Sequence, residues 1–231
     1  MYHDGVYEWR KDMARGFLLI EDQWLPVNVF IGIDPATDID TQTADDSAIV
    51  AVAIDVMTNV YVLEYRVHRN IPTLAMRDEK KQIVGKEGIL DIALAMNDKY
   101  HARHCVIEDV AMNRSCFVLL NQGRSNRNSI LYDRWDFKAI PEAPAGKGSK
   151  RSRIYSSMHE RFTSQKVHVR KTHDDLIDEI IMLGPRMKRD NIVEALHLAC
   201  LRSYPPDPVK YSEYDNHGKQ PIRKKKSWIV M

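Results

Sequence analysis

Apolar residues change their spacing several times along the chain, and each change marks an element. Val29-Phe30-Ile31-Gly32-Ile33 is a continuous apolar run that stops on Asp34 and Pro35, which predicts a buried strand with an abrupt end. Residues 47–56 and 60–67 are rich in Ala, Ile and Val and flank Met57-Thr58-Asn59, so they predict a hairpin. Leu90, Ala93, Leu94, Met96 and Asn97 then fall at helical spacing, which predicts a helix over 80–100. Cys105-Val106-Ile107 is a second short apolar run, and it too ends on a carboxylate, Glu108. Residues 112–122 and 151–162 read as helices, 130–140 as partly extended, and 167–169 as a brief strand. Two last helices are predicted over 175–183 and 191–201, separated by Gly184-Pro185.

The ends of the chain are less patterned. Residues 1–27 mix aromatic, charged and small side chains without a period, and predict a lead-in segment that packs Trp9, Phe17 and Trp24 onto the domain. Prolines 205, 206 and 208 close the regular part, leaving 205–231 as a basic tail expected to be flexible. Between them, 28–204 reads as one domain. Three strands in antiparallel succession followed by strand–helix alternation imply an α/β fold, with a mixed sheet covered by helices on both faces. That order brings the ends of the first and fourth strands side by side, where Asp34 and Glu108 stand.

Composition narrows the class. A 231-residue chain with 44% hydrophobic residues is large enough for one substantial core. No apolar run approaches the roughly 20 residues that span a bilayer, and Met1-Tyr2-His3-Asp4-Gly5 does not open a secretory signal, so a soluble intracellular protein is expected. Cys105, Cys116 and Cys200 are far apart and odd in number, the pattern of buried free thiols. The net charge of +2 announces no polyanionic partner, yet Lys147, Lys150, Arg151 and Arg153 are clustered, as are residues 223–226.

An acid at the end of a central strand borders a dry core, and there it needs hydrogen bonds, a cationic side chain or a metal. Asp34 and Glu108 meet that condition on two strands, and Asp190, just before the last helix, offers a third carboxylate. Converging acids repel unless a divalent cation lies between them, and Mg²⁺ or Mn²⁺ prefers such oxygen donors. Two ions about 3.5–4 Å apart activate water and stabilise the leaving oxygen in phosphodiester hydrolysis. Asp34, Glu108 and Asp190 are thus the candidate catalytic and metal-binding residues. Asp46 is a further candidate ligand. Each has a plainer reading: Asp34 as a turn former, Glu108 as the partner of Arg103, Arg114 or a lysine, Asp190 as a helix cap, Asp46 as a turn acid. Lys147, Lys150, Arg151 and Arg153, near Gly146 and Gly148, are candidate DNA-backbone contacts or a solvated loop.

These motifs resemble the nuclease domain of the large terminase subunit, the DNA-packaging motor of tailed bacteriophages and herpesviruses. Ile31-Gly32-Ile33-Asp34-Pro35-Ala36 with Asp46-Ser47-Ala48-Ile49-Val50 resembles the opening hairpin of that family, and Val106-Ile107-Glu108 its second acidic strand. Lys150, Arg153 and Ile154 match its Lys-x-x-Arg-Ile element. Leu176-Ile177-Asp178-Glu179-Ile180, Gly184-Pro185 and the run from Arg189 and Asp190 to Leu196 resemble its C-terminal acidic motif.

The resemblance implies a ribonuclease H-like fold, metal ligation by Asp34, Glu108 and Asp190, and cleavage of concatemeric viral DNA in the cytoplasm of an infected cell. Double-stranded DNA, an ATPase domain or chain, the portal protein and the small terminase subunit are the partners it implies. One departure stands out. The family pattern ends in paired aspartates and then Asp-Ala, where this chain has Asn191 and Glu194; Asn191 is then a possible neutral ligand and Glu194 an auxiliary acid. No G-x-x-x-x-G-K-[ST] phosphate loop is present, so ATP hydrolysis is not expected of this chain. Two other readings share these residues: a Holliday-junction resolvase or transposase-like nuclease of the same fold, and a non-catalytic DNA- or portal-binding module.

Overall fold

A computed structural model describes residues 1–36, 46–108, 114–142, 150–183 and 190–207, with the side chains of residues 114, 115, 150, 151 and 153 outside that description. The described residues form one mixed sheet of eight strands and five helices. The strands are β1 (Val6–Arg10), β2 (Arg15–Ile20), β3 (Gln23–Asp34), β4 (Asp46–Asp55), β5 (Val60–Arg69), β6 (His104–Glu108), β7 (Ala139–Glu142) and β8 (Val167–His168). The helices are α1 (Ile89–Tyr100), α2 (Arg114–Ser125), α3 (Lys150–Thr163), α4 (Asp174–Ile181) and α5 (Asn191–Leu201).

β3, β4 and β5 pair antiparallel, while β6 runs parallel to β3 and β7 parallel to β6. The central order β5-β4-β3-β6-β7 is that of a ribonuclease H-like sheet. β8 adds a parallel strand at the outer edge of β5. Helices lie on both faces because β3 is apolar at every position from 29 to 33. Val29, Ile31 and Ile33 pack with Ile49, Ala51 and Ala53 against α1 and α2. Phe30 joins Ala48, Val50, Val52 and Ile54 on the opposite face, against α3, α4 and α5. A strand buried on both faces reads as a continuous apolar run, which is what the sequence displays.

Residues 1–27 differ from the expected lead-in. They carry β1, β2 and the first half of β3, a meander continuous with the main sheet. Its β2–β3 turn places Glu21 and Asp22 at φ +47° and +62°, the positive-φ pair that a two-residue hairpin requires, without glycine or asparagine to announce it. Met1 and His3 then exchange backbone hydrogen bonds with Val169, and Tyr2 forms a parallel bridge to the same residue. Residues 3 and 6 are at most about 11 Å apart along the chain, whereas the strands from β8 to β1 laid flat span roughly 24 Å. The sheet must therefore curl at this end. The two tethers of the N-terminal segment draw its edges together.

The helix predicted over 80–100 begins only at Ile89. The preceding residues form a small hairpin bridged at Arg77 and Ile83, whose base is held by buried Asp91. That carboxylate accepts the N–H groups of Ala75 and Gly88 and pairs with Arg77. Cys105, Cys116 and Cys200 are free and buried, and burial pushes all three thiols up. No helix among the described residues is long and apolar enough to cross a membrane. Of the tail, the described residues reach Asp207; 208–231 lie outside them.

Candidate metal centre

β3 and β6 are parallel neighbours, with Ile33 level with Ile107. The next residue on each strand is therefore Asp34 beside Glu108, and both are buried. Alternation along β3 puts Phe30, Gly32 and Asp34 on the face that carries α5. What comes down on that face depends on Gly32. A Cβ at this position would overlap the Ala195 carbonyl oxygen and stand 2.5 Å from the Ala199 nitrogen. The backbone of α5 thus lies directly on β3, an approach that no larger residue allows. Glu194, the residue before Ala195, is brought to the same level as Asp34.

The result is a cluster of three carboxylates. Asp34, Glu108 and Glu194 each present one oxygen such that all three lie within 4.8 Å of one another, and all three residues are buried. At that spacing, each pair of ionised carboxylates opposes the other by roughly 3.5 kcal/mol at an effective dielectric constant of about 20. Such a pocket favours cationic charge. The donor set is all oxygen and contains no thiolate or imidazole, which fits Mg²⁺ or Mn²⁺ and disfavours zinc. An octahedral ion with bonds of about 2.1 Å separates its ligand oxygens by about 3–4 Å, so modest side-chain rotation closes this cluster around one.

Asp190 is not in the cluster. It holds the position before α5, where its carbonyl accepts the Glu194 N–H at 2.8 Å, but its carboxylate makes no capping hydrogen bond. Glu194, expected only as auxiliary, is the α5 acid that meets Asp34 and Glu108. The physical reason is axial position: Ala195 lies beside Gly32, so Glu194 comes level with Asp34, while Asp190, four residues earlier on the same face, stands about 6 Å further along the helix axis. Asn191, three residues before Glu194, is half-buried in the first turn and shares its helix face. Asp46 opens β4 two residues before the partner of Asp34 and is held by Arg69 at 3.1 Å. Lys147 lies outside the described residues. Lys150, Arg151 and Arg153 occupy the start of α3, their side chains likewise outside the description.

Two polar residues to which the sequence reading gave no role of their own support the site. Ser47 accepts the Ala36 N–H through its hydroxyl at 2.9 Å, fixing the chain as it leaves Asp34 and Pro35. Glu179 on α4 accepts the N–H groups of Ile192 and Val193 with a single oxygen, Oε2, at 2.9 and 3.0 Å. It thereby caps α5 from another helix. Burial pushes the Glu179 carboxyl above its ordinary value, against the pull of the two N–H donors, and Asp190 and Asp175 add to the rise. No local motif marks such a cap, because its two halves are separated by thirteen residues in the chain.

No protein-family model matches the chain, and no curated protein does. Solved structures with a similar course of chain include the yeast mitochondrial Holliday junction resolvase Ydc2, at TM-score 0.40 and 13% identity over 75% of this chain and 76% of that one. Another is RuvC of T. thermophilus in complex with a Holliday junction substrate, at TM-score 0.39 and 12% identity over 74% of this chain and 90% of that one.

Proposed function

We propose that this chain is a metal-dependent endodeoxyribonuclease in which Asp34, Glu108 and Glu194 hold Mg²⁺ or Mn²⁺, two ions in the working state. The observation that carries the reading is the meeting of three buried carboxylates, from two parallel strands and one helix, in a single all-oxygen cluster on a ribonuclease H-like sheet. The bound ions supply Lewis acidity and a water of lowered pKa. The protein's part is to hold the oxygens still. Gly32 sets the depth of α5, and the shared register of β3 and β6 sets Asp34 beside Glu108. Asn191 and Asp190 stand one helical turn before Glu194, outside the cluster, and would be the neighbouring residues to hold a second ion's water.

DNA as substrate is supported by the motif resemblance. β7 ends at Glu142, level with Glu108, at the end of the sheet where the acids lie, and α3 begins at Lys150. Lys147, Lys150, Arg151 and Arg153 are the expected phosphate contacts. Cutting concatemeric viral DNA beside an ATPase, a portal and a small subunit is the narrower form of this proposal, and it rests on the motifs. Cleavage of branched DNA is the form suggested by the names of the two solved structures, which at those scores do not choose the substrate.

The test is cleavage of supercoiled plasmid, linear duplex and a four-way junction, each with Mn²⁺ and with chelator. Nicking that needs the metal and disappears in Asp34→Asn, Glu108→Gln and Glu194→Gln supports the nuclease. Preferential cutting of the junction selects a resolvase over a packaging nuclease. DNA binding without cleavage under either metal refutes the catalytic reading and leaves a binding module.

A further inference from the structure

The first turn of a helix carries N–H groups with no partner inside the helix, and a side chain at the preceding residue commonly satisfies them. In α5 the residue at that place is an aspartate, the best of caps, yet its carboxylate does not cap. The N–H groups of Ile192 and Val193 are taken instead by Glu179, which reaches across from α4. The two donors belong to the residues immediately before Glu194. A carboxylate anchored on α4 is thus bonded to the backbone that leads into the third acid of the cluster.

The two contacts on α5 do different things. Gly32 fixes how closely the helix lies on β3, through Ala195 and Ala199. The buried side chains of Val193, Leu196 and Cys200 seat the body of the helix on the sheet. Hydrogen bonds at the N-terminal end, directed along the helix axis, add a restraint on the first turn, the turn that leads into Glu194. α4 is itself seated in the core through Leu176, with Ile177 and Ile180 packed beside it. The anchor is therefore fixed to the domain and not to a mobile loop. A sliding error of one residue, about 1.5 Å, is enough to take a carboxylate oxygen out of reach of an ion bound by Asp34 and Glu108.

We propose that Glu179 is a positioning residue for the metal centre: by holding the N-terminal turn of α5 from α4, it sets the axial place of Glu194 relative to Asp34 and Glu108. The inference rests on the metal-binding reading of that cluster. Its function depends on where the acceptor oxygen is and not on the charge it bears, since one oxygen takes both donors and an amide oxygen can do the same.

That distinction supplies the test. Glu179→Gln keeps an acceptor at the same reach, Glu179→Asp keeps the charge but withdraws it by one methylene, and Glu179→Ala removes both. Mn²⁺ binding to each protein is measured by titration calorimetry, together with amide hydrogen exchange of Ile192 and Val193 in metal-free buffer. The Gln variant is expected to bind Mn²⁺ within about twofold of wild type, and the Asp and Ala variants about tenfold more weakly, the low end for loss of an outer-layer partner. Faster exchange at the two amides should accompany the loss. If the Ala variant does not fold, the Gln and Asp pair decides alone. Weakened binding in Gln with normal binding in Asp overturns the proposal, because charge would then be what matters. Wild-type affinity in all the variants that fold removes this inference and leaves the metal centre standing. A wild type that binds no Mn²⁺ removes the metal reading, and this inference with it.

Discussion

Replacing Gly32 by alanine adds one methyl group, and the geometry says what it must do. The new Cβ would overlap the Ala195 carbonyl oxygen and lie 2.5 Å from the Ala199 nitrogen, about 0.9 Å short of the 3.4 Å at which ordinary contact begins. Both obstacles are helix backbone, so no side-chain rotation relieves them. The Ala195 oxygen is the tighter of the two, so α5 has to retreat from β3 by at least about 1 Å, and Glu194 goes with it. Overpacking of this kind costs about 1–3 kcal/mol, which for a domain of this size lowers Tm by roughly 3–10 °C. A displacement near 1 Å at a catalytic group costs about a hundredfold in rate.

Thermal unfolding and plasmid cleavage measure the two effects on the same preparations. Val52→Ala is the control, since Val52 is buried on the same face of the sheet and its substitution removes atoms instead of adding one against α5 backbone. It is expected to lose comparable stability while keeping most of its cleavage rate. A Gly32→Ala protein that cuts at the wild-type rate refutes the account, and so does a Val52→Ala protein that loses as much activity as Gly32→Ala.

Glu194→Gln is expected to cost more than about a hundredfold in cleavage, beyond the loss typical of a supporting residue, while Asp190→Asn stays within a few fold; equal losses would show that both acids ligate. Asp34→Asn should abolish cleavage and leave the metal-free Tm unchanged or higher, because mutual repulsion in the cluster is relieved; a large fall in metal-free Tm contradicts this. Mn²⁺ at a hundred times its Kd should stabilise the wild type by about 2.7 kcal/mol and the Asp34→Asn protein much less, which a shift in Tm reads directly. Stability should also fall on acidification between pH 6.5 and about 4. Burial lowers His3 from 6.5 to about 4, against the Val62 carbonyl hydrogen bond, with Arg170, His168 and His173 adding repulsion. The unfolded chain therefore binds more protons than the native one in that window, so stability rises with pH there. For His3 alone the loss is about 3 kcal/mol by pH 4, and His3→Gln should flatten the pH dependence of Tm; an unchanged slope assigns it elsewhere.

Much of this could be read from sequence wherever one face of an element dominates its packing. The runs ending at Asp34 and Glu108 are apolar on both faces, and only the centre of a sheet covered on both sides accepts such a strand. The meander of residues 6–20 escaped notice because its strands are partly exposed and its β2–β3 turn uses Glu21 and Asp22 in place of the glycine or asparagine that mark hairpins. The choice between Asp190 and Glu194 is of another kind. Both suit the start of a helix and share one face of it, and which one comes level with the strand ends depends on which turn of α5 lies against Gly32, a contact between residues more than 160 positions apart. The same is true of Glu179, whose role appears only once α4 and α5 are side by side.

β3 belongs to two arrangements at once. Its first half is a stave in the hoop that the N-terminal tethers draw shut, and its second half carries Asp34 into the acidic pocket, about 23 Å further along from Val27. A strand hydrogen-bonded throughout its length transmits a slip at one end to the other. Harm to the distant hoop, at the Glu21–Asp22 turn or at the contacts of His3, should thus be felt as a misplaced carboxylate.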